Sequence, residues 1–334
     1  MSGAPAAIEE CRELPALAAL VGRARPLVIR GLCRDWPMVA WARQSDDTFA
    51  RELARRDNGS EVDALLLPPG ERGVIGYNAT FDGFNYTHHR VSIGQGLQRL
   101  AQYSRQPDAP GLAMQSALIS ACLPGLLDEH ALPLLDPGIQ PRIWIGNRVT
   151  TPAHFDAYHN IACVVCGTRR FTLFPSEQLP NLYVGPLDFA PTGAAIGVAR
   201  LDRPDDPRYP RLRQALAAAQ VAELHPGDAI YIPPMWWHHV ESLERLNALV
   251  NYWWMPVTEE GRSSDLALGA LFHCILGFGA LTPAEKAGWK NLLDHYVFGD
   301  GDATAHIPAE RRGMLGPLTS AQLEQLRQRI RRYL

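Results

Sequence analysis

No part of this 334-residue chain is a comfortable membrane span. Its longest apolar run, Leu266 to Leu281, falls short of the ~20 residues a span needs and holds His273 and three glycines, so a buried helix is expected there. Residues Met1 to Leu14 lack a basic segment followed by an apolar stretch, which argues against a secretory signal. Cysteine is sparse: six are scattered through the chain, the pattern of reduced thiols in a cytoplasmic protein. Cys163 and Cys166 form a CxxC, but without a second such pair. They sit in Ile161-Ala162-Cys163-Val164-Val165-Cys166, which reads as a buried strand with the two thiols on opposite faces. Excess positive charge is also missing. A net charge of −3 argues against nucleic acid as a partner, and no repeat or low-complexity tract is seen. What remains, at 46% apolar and 20% charged residues, is a soluble globular composition long enough for one large domain with an appendage.

The texture changes along the chain. Pro26 to Gly31 reads as a short strand, Asp46 to Arg56 and Ile93 to Ser104 as helices, and Pro124 to Leu132 as a further helical stretch. From Arg142 to Met255 strand follows strand: Ile143 to Gly146, Ala153 to Asp156, Ile161 to Cys166, Arg170 to Phe174, Ala222 to Leu224, Ala229 to Ile232 and Leu246 to Met255. A Pro-, Gly- and Asp-rich insertion, about Asn181 to Arg211, interrupts them and leads into a short helix near Leu212 to Gln220. Many short strands with turn signals predict a mainly β jelly roll or barrel, flanked by N-terminal helices. The division expected is 1–258 for this domain, with its core at 142–256, and 259–334 for a helical region. There Thr282-Pro283-Ala284-Glu285 starts one helix, and Leu323, Leu326, Ile330 and Tyr333 form the stripe of another.

His154-Phe155-Asp156 and, 84 positions after His154, His238 in Trp236-Trp237-His238-His239 carry the chemistry. On a strand, His154 and Asp156 project from one face and can reach a single ion together. Two imidazoles and one carboxylate suit Fe(II) and leave positions open for a bidentate co-substrate and O2. An HxD triplet alone is a weak sign. Pro233 and Pro234 also disturb the register, so alternation leaves His238 and His239 equally eligible.

The flanks raise the specificity. Thr151-Pro152-Ala153-His154-Phe155-Asp156, Asn160, Gly167 to Phe171, Leu173-Phe174-Pro175, Gly227 to Pro233, Trp236 to Ser242 and Asn251 to Trp254 together resemble the JmjC-type, cupin-like 2-oxoglutarate oxygenases. The pattern is nearest to the branch holding the asparaginyl hydroxylase of hypoxia-inducible factor. The resemblance covers about Arg142 to Pro256, and weakly Arg25 to Pro37. It implies a double-stranded β-helix with His154, Asp156 and His238 as Fe(II) ligands, His239 pointing away. It further implies that Thr151 and the residue at 169 hold the distal carboxylate of 2-oxoglutarate, with Asn160 and Asn251 near its metal-proximal end. Arg169 stands where that branch has a lysine, and Ala113 where it has a tyrosine; Tyr86, Tyr77 and Tyr158 are the candidates to replace that hydroxyl. Trp253, Tyr86 and His239 are assigned to the substrate pocket.

The resemblance implies an Fe(II)- and 2-oxoglutarate-dependent hydroxylase acting with O2 on a protein or peptide. N-methyl-lysine demethylation and a non-catalytic metal-binding regulator are the rival readings. A homodimer through the C-terminal helices is expected, and substrate specificity is assigned to the 181–211 insertion and the loops of 76–90.

Overall fold

A computed structural model describes residues 5–255 and 264–331 of the chain. Contacts divide it into Met1–Glu259 and Glu260–Leu334. The first unit holds fourteen strands among its described residues: β1 (Ala6–Ala7), β2 (Glu10–Cys11), β3 (Leu27–Ile29), β4 (Val62–Leu67), β5 (Thr87–Val91), β6 (Gly111–Leu118) and β7 (Arg142–Gly146). The remainder are β8 (Thr150–Phe155), β9 (His159–Cys166), β10 (Arg169–Phe174), β11 (Gln220–Leu224), β12 (Ala229–Ile232), β13 (Trp237–Ser242) and β14 (Asn247–Trp254). They form a five-stranded sheet in the order β1-β11-β10-β13-β8 and a nine-stranded sheet in the order β2-β3-β12-β9-β14-β7-β6-β4-β5. This mainly β, two-sheet arrangement is the jelly-roll architecture expected from the strand pattern.

Alternation explains how the layers stack. Ala162 and Val164 of β9, Ile230 and Ile232 of β12 and Leu249 of β14 meet Phe171 and Leu173 of β10 and Val240 of β13 in the core between the sheets. Their neighbours Cys163, Ala229, Tyr231 and Val250 face the other way, into a second core. That core is closed by the helices α1 (Leu17–Gly22), α2 (Pro37–Gln44), α3 (Asp46–Ala54), α4 (Ile93–Tyr103) and α5 (Ile119–Cys122). Because β9 and β12 are covered on both faces, they are buried along their whole length, and Ile161 to Cys166 and Ala229 to Ile232 read as apolar runs. Gly227 sits at φ 109 in the turn before β12, and its neighbour Asp228 accepts from Arg30 Nη1 at 2.8 Å and from Gly31 N at 3.0 Å. These contacts tie β3 to the sheet and give that Gly-Asp pair a structural role.

Two expectations about this unit are corrected. Cys163 and Cys166 do not point to opposite faces. Leu249 pairs with Val164 while Ala248 pairs with Cys166, so Val165 is an extra residue, and the bulge turns both thiols toward the helical side. Burial pushes Cys166 up to about 12 and raises Cys163 well above the usual thiol range, so both remain protonated thiols. Pro124 to Leu132 forms two three-residue 3₁₀ turns rather than a helix. Strands β1, β2, β5 and β6 were not anticipated, and the alternation of β6 is broken by a bulge between Met114 and Ala117.

A buried histidine lies in the helical layer. His130 donates from Nδ1 to Leu126 O at 2.8 Å and accepts at Nε2 from Met38 N, at 3.4 Å. A protonated ring has no acceptor for Met38, and burial lowers the pKa from its ordinary 6.5. The unfolded chain then binds more protons than the folded one below about 6.5, so stability is complete above that pH and falls as pH drops through it. Thermal unfolding of the metal-free protein is expected to shift downward between about pH 7 and 5. A flat profile there, or an unchanged slope in His130→Asn, would count against this account.

The second unit holds α7 (Ser264–Phe278), α8 (Pro283–Tyr296) and α9 (Ser320–Ile330), with α6 (Leu212–Ala217) belonging to the first unit. Thr282 with Glu285 and Thr319 with Gln322 form capping boxes at the starts of α8 and α9, where the sequence places them. α7 is not the buried helix expected. Leu271, Ile275 and Leu276 are exposed, and no apolar side chain is buried among the described residues of this unit. Tyr333 of the expected stripe lies outside the described residues.

Candidate metal centre

β8 and β13 run antiparallel with His238 directly opposite His154, and Asp156 follows two positions on, so all three side chains enter the space between the sheets. One ligand atom from each lies within 4.8 Å of the others, the one such group among the described residues. His238 Nε2 is 3.6 Å from Asp156 Oδ2. Backbone carbonyls aim the rings: His154 Nδ1 donates to Pro152 O at 2.9 Å and His238 Nδ1 to Trp236 O at 3.1 Å. Each Nε2 is thereby left as the bare acceptor, the tautomer a metal requires. Trp253 Nε1 donates to Asp156 Oδ2 at 3.0 Å and holds the carboxylate. Burial and then the neighbouring His154 depress the His238 pKa to about 4, so the imidazole is neutral and available as a ligand at neutral pH.

Thr151 joins the same cavity for a reason that alternation does not reveal. His238 pairs with His154 and Val240 with Thr151, so two residues of β8, Pro152 and Ala153, stand against one of β13. The bulge turns residues three apart onto one face, and Pro152, having no N–H, suits it.

The cavity, about 60 Å³ and room for several waters, is lined by the triad together with Thr151, Asn160, Arg169, Asn251 and Trp253. Trp144 was not anticipated. Its sign in the sequence was its position between Ile143 and Ile145, which face the helical core while it faces the cavity. Trp144 Nε1 donates to Asn251 Oδ1 at 2.8 Å, and Asn251 Nδ2 donates to Asn160 Oδ1 at 3.3 Å, so the two amides have fixed orientations.

Arg169 is the electrostatic anomaly. It is 9% exposed, its Nη2 reaches only Trp144 O at 3.4 Å, its Nε has no partner, and no carboxylate meets it. Burial lowers its pKa to about 10, still well above neutrality, so a full positive charge lies in the wall without a counter-ion. Such a group fits an incoming carboxylate. Its neighbour Arg170 faces outward and is bonded to Glu223 through Nε and Nη2 at 3.0 and 2.6 Å.

The other candidates lie elsewhere. Tyr86 stacks on Phe84 at 5.4 Å and packs in a separate cluster with Ala113 and Leu65. Tyr77 donates its hydroxyl to Phe189 O at 2.7 Å, and Tyr158 is exposed. No tyrosine is among the residues lining the cavity. His239 lies on the opposite face of β13 from His238, 6% exposed, and borders a different space.

A model of the cupin-like domain matches residues 14–260. The Drosophila melanogaster Jumonji C domain-containing protein 5 is 32% identical over 211 residues, 58% of this chain and 50% of that protein. Human HSPB1-associated protein 1 is 33% identical over 156 residues, 46% and 31% of the two chains. An Arabidopsis thaliana protein named Lysine-specific demethylase JMJ31 is 32% identical over 133 residues, 39% and 22%. The matched segments span half or less of these relatives' own lengths.

Proposed function

Since the chain belongs to the cupin-like domain family, whose JmjC members include hydroxylases and demethylases, we propose that it is an Fe(II)- and 2-oxoglutarate-dependent oxygenase that hydroxylates an amino-acid side chain of a protein or peptide. One observation carries the reading: a His154, Asp156, His238 group shares a small cavity with a buried, unpaired guanidinium. In this reading the three side chains hold Fe(II), and Arg169 with Thr151 takes the distal carboxylate of 2-oxoglutarate, a pairing in which guanidinium can offer two parallel bonds. Asn160 and Asn251, cross-bonded and anchored by Trp144, fix the metal-proximal end. Trp253 keeps the Asp156 carboxylate turned, and the two tryptophans limit water. The bound metal and co-substrate supply O2 activation, with succinate and CO2 as co-products.

Anaerobic addition of Fe(II) and 2-oxoglutarate is expected to raise a visible metal-to-ligand charge-transfer band, and admission of O2 to yield succinate. Absence of both would remove the oxygenase reading and leave a non-catalytic metal-binding protein. The relative named as a lysine-specific demethylase favours a second reading, N-methyl-lysine demethylation. Formaldehyde released from methylated peptides separates it from simple hydroxylation.

We further place the protein in the cytoplasm, which suits its six unpaired thiols, and as a homodimer through its C-terminal helices. The helical unit has exposed Leu271, Ile275, Leu276 and Trp289 and no apolar core among its described residues, so a second copy is the natural cover. Light scattering is expected to give a dimer, and Leu276→Lys with Ile275→Lys a monomer; a monomeric parent protein would end this part of the proposal.

A further inference from the structure

The outer face of the five-stranded sheet is covered over only part of its area. One part carries a small apolar core in which Ala153, Phe174 and Trp237 meet Ala215 and Ala219. Beside it lies a cavity of about 630 Å³, floored by Thr150 and Pro152 of β8 and His239 and Glu241 of β13. These residues alternate with Thr151, His154, His238 and Val240, which line the metal cavity, so the two spaces are on opposite faces of the same strands. Val74 bridges to Thr150 and Ile196 to His154, so the 71–81 loop and the insertion wall the cavity from either side.

Its volume is that of a small-molecule site, and its charges are unevenly satisfied. Asp202 is held by Arg200 through two bonds of 2.9 Å, Asp206 by Arg208 at 2.7 Å, and Glu71 accepts from Asn85 at 2.7 Å. Arg72, at the rim, makes no ion pair or hydrogen bond through its guanidinium; Arg203 makes none either, though its charge also acts on Asp202 and Asp206. On the floor, His239 is more than nine-tenths buried and its Nδ1 has no partner. That nitrogen is closed off from the cavity as well, so only the rest of the His239 ring forms part of the floor that a ligand can meet. Tyr77 and Phe81, stacked at 5.1 Å, add an aromatic wall.

We propose that this cavity is a second binding site, separate from the metal cavity, for a small organic anion: a carboxylate or phosphate drawn in by Arg72 and Arg203, on a body that packs against Tyr77 and Phe81 above the His239 floor. The proposal is independent of the oxygenase reading, because binding is measured without turnover. The test uses the full, metal-free chain and three probes, inorganic phosphate, citrate and adenosine 5′-monophosphate, followed by calorimetry. At least one organic probe is expected to bind with Kd below about 1 mM and more tightly than phosphate. Its affinity should fall about tenfold or more in a combined Arg72→Asn, Arg203→Ala protein. Both positions are exposed, and asparagine tolerates the left-handed backbone at Arg72 (φ 54), so folding should be retained and is checked by circular dichroism. Binding should persist in Arg169→Leu, which removes the cation of the other cavity. Failure of all three probes to bind, unchanged affinity in the double variant, or loss of binding in Arg169→Leu would each overturn the proposal.

Discussion

Arg169→Leu is expected to change two properties in opposite directions. Without ligand, the variant should unfold at the same temperature as the parent or higher, because leucine relieves a buried guanidinium that has one long hydrogen bond and no counter-ion. With Mn(II) in place of iron, its affinity for 2-oxoglutarate should fall by roughly two orders of magnitude or more, the loss of about 3 kcal/mol that follows removal of one partner of a buried charge pair. Arg169→Lys should sit between: the charge survives as a point, but the two-pronged geometry does not. Calorimetry and thermal shift with and without 2-oxoglutarate read both effects. An affinity within a few-fold of the parent would mean that the distal carboxylate is held elsewhere. A large loss of ligand-free stability would mean that the guanidinium is a structural anchor.

Asp156→Ala and His238→Ala should each abolish metal binding at micromolar metal, a drop of ~100-fold or more, with succinate formation at background. Asp156→Ala also strips the acceptor from Trp253 Nε1, so the tryptophan should become mobile, visible as a changed fluorescence. The informative control is His239→Ala, one residue away but on the opposite face of β13, which should keep its metal. Equal metal loss in His239→Ala and His238→Ala would show that the register of β13 in solution differs from the one described.

How much of this could be read in advance differs from residue to residue. His154 and Asp156 were legible as a pair because strand alternation is local. The mainly β core, the helix starts at Thr282 and Thr319 and the insertion were legible too, since turns, caps and periodicity are properties of neighbouring residues. Arg169 against Arg170 was not decided by pattern: both precede the same apolar run, and only the pairing of β10 between β11 and β13 shows which parity faces inward. Trp144 was marked only by its alternation with Ile143 and Ile145, and its role was not legible because its partner Asn251 lies 107 positions away.

Bulges change what strand alternation alone would give at two places. An extra residue at Val165 brought two thiols to one face, and an extra residue in β8 brought Thr151 round beside His154. The sequence by itself determined which chemical groups were available and which near neighbours share a strand face, because those follow from side-chain type and a two-residue repeat. Only the tertiary structure decided that His238 stands opposite His154, that the guanidinium at 169 is buried without a counter-ion, and that His239 looks into a different cavity. These depend on how distant strands pair and where a bulge shifts their phase, and that is set by the packing of two sheets and not by any local stretch of chain.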